Sequence, residues 1–225
     1  MKKVICITGA AHGLGRELVA ALSANNQVIA LDLESDVLPI VANKFNCDYF
    51  FCDITNHLLV KDTIDKIAKK YGSIDCLINN AGCYIDGLLS DNDPETIKKV
   101  IEVNVLGPIN MCRFVVPLML KAKSGTIINI NSHAGLYARD HFSVYHGSKW
   151  AMTGFTESLR LELEPQGIKV TDVFPGLMDT AFVKDSQCNR DLSKAMDPGE
   201  VVKSIQFILS LDKHTTLPQI GVRYI

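Results

Sequence analysis

The chain has 225 residues, 23 Lys and Arg against 25 Asp and Glu, and 47% hydrophobic residues, enough for one domain with a core on both faces of a sheet and short for two. The near-zero net charge offers no basic face for nucleic acid or anionic lipid. The apolar stretch after Met1-Lys2-Lys3 is too brief for a signal peptide, and the most apolar window, 114–120, contains Pro117 and is too short for a bilayer, so a cytoplasmic protein without nucleic-acid or membrane partners is expected.

Residues 4–7 form a short apolar run of the kind found in strands buried on both faces. A turn, Thr8-Gly9-Ala10-Ala11-His12-Gly13-Leu14-Gly15, leads into a helix over about 13–25. A second strand covers 28–31, with Asp32 at its end. Helix resumes near 37, and a third strand at 49–51 ends close to Asp53. A helix over 56–71 precedes a fourth strand at 76–78, from which Asn79-Asn80-Ala81-Gly82 turns away. Asp93-Pro94-Glu95 reads as a capped helix start, with the helix running to about 121. A fifth strand at 126–130, a long helix over 142–164 and a sixth strand at 168–174, closed by Pro175-Gly176, follow. Asp197-Pro198 opens a last helix to about 211, and 220–224 reads as a seventh strand. This alternation specifies an α/β protein: a parallel sheet of about seven strands, helices on both faces, three layers, one domain over 1–225.

The chemistry-bearing positions cluster at strand ends. Gly9, Gly13 and Gly15 let the backbone turn tightly and let a pyrophosphate approach main-chain N–H groups at a helix N-terminus. Asp32 lies at the distance where an acid meets an adenosine ribose; its carboxylate accepts from both ribose hydroxyls and repels a 2′-phosphate. The next residue is Leu33, not a cation, which favours NAD over NADP. His12, in the turn, is the one group there that could meet a phosphate. Only Tyr145 among the tyrosines has a lysine four residues on, Lys149, on the same helix face. A free phenol has a pKa near ~10, and a neighbouring ammonium lowers it. Such a phenol takes a proton from an alcohol or gives one to a carbonyl.

On these residues the chain resembles the short-chain dehydrogenase/reductase family. TGAAHGLG is similar to that family's TGxxxGxG motif, Asn79-Asn80-Ala81-Gly82 to its NNAG, and Pro175-Gly176-Leu177-Met178-Asp179-Thr180 to its PGxxxT. The resemblance extends over nearly the whole chain and departs at the end, where the family's glycines after the last strand are missing. It implies a Rossmann-type doubly wound sheet, a nicotinamide cofactor and hydride transfer between NAD(H) and an alcohol or carbonyl. It also implies a tetrad of Asn104, Ser132, Tyr145 and Lys149. Tyr145 is its general acid/base, Ser132 holds the substrate oxygen, and Lys149 also holds the nicotinamide ribose. Asn104 holds a water leading to solvent. The implied cofactor contacts are Gly9, His12, Gly13, Leu14, Gly15, Asp32, Leu33, Cys52, Asp53, Ile54, Asn80, Ala81, Gly82, Ile130, Tyr145, Lys149, Pro175, Gly176, Leu177 and Thr180, with Asp53 facing the base amine. Two other readings stay open: an NADP(H)-dependent carbonyl or ketoacyl-carrier reductase, and a nucleotide-binding redox sensor without turnover.

Position along the chain puts Tyr84, Ile85, His133, Tyr137, His141, Leu177, Met178 and Phe182 near a small-molecule substrate, with His133 as a pocket-lining group and no cation that demands an anionic substrate. The seven cysteines have no CxxC spacing and read as reduced core thiols, and no cluster has metal-ligand spacing. Trp150 and Phe155, with Phe114 and Met119, are more apolar than a solvated surface requires, and the resemblance implies a homodimer or homotetramer built on these two helices.

Overall fold

The computed structural model describes residues 2–180 and 192–225. Seven strands, β1 (Val4–Thr8), β2 (Gln27–Asp32), β3 (Asp48–Phe51), β4 (Cys76–Asn79), β5 (Gly125–Ile130), β6 (Ile168–Pro175) and β7 (Gln219–Val222), form one parallel sheet in the order β3-β2-β1-β4-β5-β6-β7. Among the described residues the α-helices are α1 (Gly13–Leu22), α2 (Val37–Phe45), α3 (His57–Tyr71), α4 (Pro94–Ile101), α5 (Gly107–Ala122), α6 (Ser143–Leu163) and α7 (Pro198–Ser210). This is the expected doubly wound, Rossmann-type arrangement.

The period-two geometry of a strand sorts β1 between two cores. Ile5 and Ile7 pack with Leu18, Val201 and Ile205 on one face. Val4 and Cys6 pack with Ile64, Met111 and Ile168 on the other. Every residue of β1 is buried, which is why its sequence runs apolar without alternation. Connections on opposite faces reverse the strand order between β1 and β4, and a crevice opens there at the carboxyl ends of the strands.

The expected helix over 94–121 is broken. Between α4 and α5 the backbone forms a π-helical turn, Glu102–Leu106. Pro108 has no N–H for a regular ladder, and the Gly107 N–H reaches back to Glu102 O. A Cβ on Gly107 would lie 2.4 Å from Ile54 Cδ1, so the chain passes close to the segment just after β3 at this point. The run Pro94–Ala122 is, among the described residues, long and apolar enough by composition to cross a membrane, yet it buries Met111, Cys112, Val115 and Met119 in the core under the sheet. It is a core element.

Candidate active site

The glycine turn is held in a shape that side chains oppose. Gly9 and Gly13 have φ of 65° and 48°, in the left-handed region. A Cβ on Gly15 would lie 1.9 Å from Gly9 O. The turn therefore collapses onto itself, and α1 begins immediately behind it. His12 at its N-cap makes no side-chain capping bond, and the first turn has no acidic residue. The N-terminal N–H groups of α1 thus have no side-chain cap, and His12, Gly13 and Leu14 line the cleft, a setting that fits a pyrophosphate.

Asp32 braces this turn from β2. Its Oδ2 accepts from Ala11 N at 2.8 Å and its Oδ1 from Leu33 N at 2.8 Å. Each oxygen keeps a second lone pair, and Asp32 lines the cleft. Asp53 Oδ1 accepts from Thr55 N and Oγ1 at 2.9 and 2.7 Å. Asn80 ties the end of β4 to the turn: its Nδ2 donates to Thr8 O at 2.9 Å and Gly9 O at 3.1 Å, while Thr8 Oγ1 accepts from Asn80 N and Ala81 N.

Tyr145 and Lys149 lie one turn apart on α6, with Lys149 Nζ 5.9 Å from the Tyr145 ring centre. Lys149 is buried, and its Nζ donates to Ile130 O at 3.1 Å, leaving two donors. Burial pushes its ammonium down to about 8, against the opposing pull of Asp172. The Tyr84 ring meets Tyr145 edge-on at 5.0 Å. Ser132, just past β5, caps a 3₁₀ turn, His133–Gly135, with its Oγ accepting from Ala134 N at 3.1 Å. Farther along the cleft, Met196 N bonds Leu177 O, and Asp179 N bonds Met196 O, pinning the segment that ends in buried Thr180.

All of this opens on one cleft of about 1330 Å³. The glycine turn, Asp32, Asn80, Ser132, Tyr145, Lys149 and Thr180 share its wall. The short chain dehydrogenase family model matches residues 3–191. The chain belongs to the short-chain dehydrogenase family. It is 32% identical over 222 residues to the 3-oxoacyl-(acyl-carrier-protein) reductase of Thermotoga maritima, covering 92% of this chain and 90% of the relative. Among solved structures it is similar to ElxO with NADP bound, at 27% identity and a TM-score of 0.87 over 98% of both chains. The fold also matches an alcohol dehydrogenase of Thermococcus sibiricus complexed with 5-hydroxy-NADP, at 21% identity and a TM-score of 0.90 over 100% of this chain and 97% of that one.

Against the family motifs, the cleft takes in every expected cofactor position except Gly15, which lies behind the turn. It takes in Ser132, Tyr145 and Lys149 of the tetrad but not Asn104. Asn104 is buried in the π turn. Its Oδ1 accepts from Cys83 N at 2.8 Å, and its Nδ2 donates to Cys83 O at 2.9 Å and Ser148 Oγ at 3.0 Å. Both amide hydrogens are spent holding neighbours, so the side chain acts as a clamp between α6 and the segment after β4.

Of the substrate candidates, Tyr84, His133, Tyr137, Leu177 and Met178 line the cleft, whereas Ile85 and His141 do not. His141 is exposed and lies 3.8 Å from Asp140. Phe182 and Cys188 lie outside the described residues. Met119 is fully buried, and Phe114 and Phe155 pack against the core; of the residues expected at a subunit contact, only Trp150, at 51% exposure, stands out from the surface. Among the described residues no group of three His, Cys, Asp or Glu is placed to hold a metal.

The sequence reading missed Arg139, His146 and Arg223 as cleft residues, and it missed Asn131 and Asp172 near Lys149. Helical periodicity from Tyr145 gives no signal for His146, because adjacent residues lie on different faces of a helix. Nothing in the local sequence marks Arg223, which β7 carries to Gly176 from 91 positions beyond Ser132 (223 − 132).

Proposed function

We propose that this short-chain dehydrogenase transfers a hydride between NAD(H) and an alcohol or carbonyl carbon, with Tyr145 as general acid/base. The observation that carries this reading is the shared wall: the Tyr145–Lys149 pair and Ser132 face the same cleft as the glycine turn. The nicotinamide supplies or accepts the hydride. The chain's residues do the rest. Ser132 donates a hydrogen bond to the substrate oxygen and stabilises charge developing there. Tyr145 takes the proton from an alcohol or returns it to a carbonyl, and the buried Lys149 ammonium favours the phenolate. Lys149 also has free donors for the ribose hydroxyls. The N-terminus of α1 takes the pyrophosphate, and Thr180, with the pinned backbone before it, orients the carboxamide. Asn104 is a positioning residue in this scheme.

NAD(H) is favoured over NADP(H) by the adenosine end of the cleft. Its wall between Gly9 and Thr55 contains Asp32 and Asp53 but no lysine or arginine. The competing reading, NADP(H), draws on the NADP bound to ElxO and on the name of the Thermotoga relative. A single cytoplasmic domain and a homodimer or homotetramer complete the proposal, with exposed Trp150 as the residue to watch at the contact.

The test is a screen of secondary alcohols and ketones followed by nicotinamide absorbance. Tyr145→Phe is expected to lose about 10²- to 10⁴-fold in turnover while still binding NADH. Undiminished activity in that variant, or no turnover by the unaltered protein across the panel, would overturn the reading.

A further inference from the structure

The charged groups of the cleft are segregated. The acids Asp32 and Asp53 stand at the ends of β2 and β3. Around Ser132 and Tyr145, five basic side chains line the wall: His133, Arg139, His146, Lys149 and Arg223. The remaining carboxylate of the lining, Glu102, belongs to the π turn, and Lys99 of α4 lines the cleft as well.

The two arginines arrive from different parts of the chain. Arg139 follows the 3₁₀ turn that Ser132 caps. Arg223 follows β7, whose pairing with β6 places Pro175 opposite Val222. Gly176 N donates to Val222 O at 2.7 Å, and a Cβ on Gly176 would lie 3.2 Å from Arg223 Cβ. His133 sits against the same strand, its Nε2 3.7 Å from where a Cβ on Gly221 would be. Among the described residues, neither guanidinium has an ion-pair or hydrogen-bond partner. Burial, then Arg223, then Arg139 lower the pKa of His133. That disfavours the charged imidazole beside the two guanidiniums.

We propose that the substrate carries an anionic group, a carboxylate or a phosphate, which Arg223 and Arg139 hold while Ser132 and Tyr145 engage the reacting oxygen. The inference rests on the dehydrogenase reading for the second half of that statement only. A guanidinium presents a planar fork that matches either anion, and one without an ion-pair partner attracts it without first breaking an ion pair. Apolar contact from Tyr84, Tyr137 and Leu177 leaves room for a short carbon chain between the anion and the reacting carbon.

Charged and neutral ketone pairs test the anion. Acetoacetate and acetoacetamide differ in one group, as do dihydroxyacetone phosphate and dihydroxyacetone. Binding to the full chain is measured by titration calorimetry, alone and with NAD⁺, under which no ketone is turned over. The carboxylate or the phosphate is expected to bind about 10- to 100-fold tighter than its neutral partner, and the pair with the larger ratio identifies the anion. Arg223→Gln should collapse the preference, Arg223→Lys should recover part of it, and Tyr145→Phe should leave it in place. Equal affinities within both pairs, no binding of either anion at millimolar concentration, or an unchanged ratio in the Arg139→Gln/Arg223→Gln double variant would overturn the proposal. Anion preference without turnover of any alcohol or ketone would instead sink the dehydrogenase reading and leave the anion site standing.

Discussion

Asn131 Nδ2 donates to Asp172 Oδ2 at 2.9 Å, joining the end of β5 to the middle of β6 by a bond between two buried side chains. The same Nδ2 donates to Thr153 Oγ1 at 3.0 Å, which links the pair to α6. Asp172 Oδ1 and Asn131 Oδ1 have no partner among the described residues. Burial pushes the Asp172 carboxyl up to about 7, with the Asn131 bond and the Lys149 charge pulling it back. The expected NNAG, TGxxxGxG and tetrad positions are therefore backed by an ionisable group that none of those motifs contains.

The linkage has a definite sign. A carboxyl whose folded pKa is raised from 3.8 to about 7 binds its proton more tightly in the folded state. Its contribution to stability is full below pH ~4 and is lost as pH rises through ~7. Asp172→Asn removes that loss. Chemical denaturation should show the variant gaining about 1–3 kcal/mol on the unaltered protein between pH 5 and pH 8. Parallel stability–pH curves for the two proteins would contradict a raised Asp172.

Lys149 titrates in the opposite sense. Its folded pKa is lowered from 10.5 to about 8, so the folded state releases the proton first, and stability recovers as pH rises from ~8 to ~10.5. Lys149→Met, which fills similar space without charge, should flatten that rise. The variant should also lose turnover, measured by nicotinamide absorbance, because the phenol loses its neighbouring ammonium.

Asp32 offers a test of cofactor choice. Asp32→Asn keeps an acceptor for Ala11 N or Leu33 N but drops the charge. Fluorescence titration should show the NADPH/NADH affinity ratio rising by about tenfold or more, as a like-charge repulsion near a 2′-phosphate is worth 1–2 kcal/mol at a partly exposed site. A ratio that does not move would mean that the carboxylate serves the turn alone.

Two glycines separate packing from propensity. Gly15→Ala places a methyl 1.9 Å from Gly9 O, a clash with backbone that cannot rotate away. It should cost about 3 kcal/mol or more and abolish NADH binding. Gly154→Ala, on α6 with nothing within 4 Å of the new Cβ, should instead raise stability by about 0.5–1 kcal/mol. Thermal melts of both variants check the pair.

Asn104→Ala leaves Cys83 N, Cys83 O and Ser148 Oγ without their buried partner. A stability loss of about 2–4 kcal/mol is expected. Because the clamp spans α6 and the segment after β4, cofactor affinity should fall together with stability. A loss confined to turnover would point to a proton path through Asn104 instead.

Periodicity, turn residues and a few motif spacings were enough to specify the parallel sheet, the glycine turn and the Tyr145–Lys149 face of α6, because each depends on residues within a few positions of one another. A helix places i and i+4 together whatever surrounds it, and a buried strand must be apolar on both sides. The break at Glu102–Leu106 escaped that logic: it arises from Pro108 and from the packing of Gly107 on Ile54, a contact 53 positions away (107 − 54). The Asn131–Asp172 bond, the confinement of Asn104 and the delivery of Arg223 to the cleft came only from tertiary structure. Strand order decides which distant residues become neighbours, and burial decides which of their charges persist. Neither quantity is written in any local stretch of the chain.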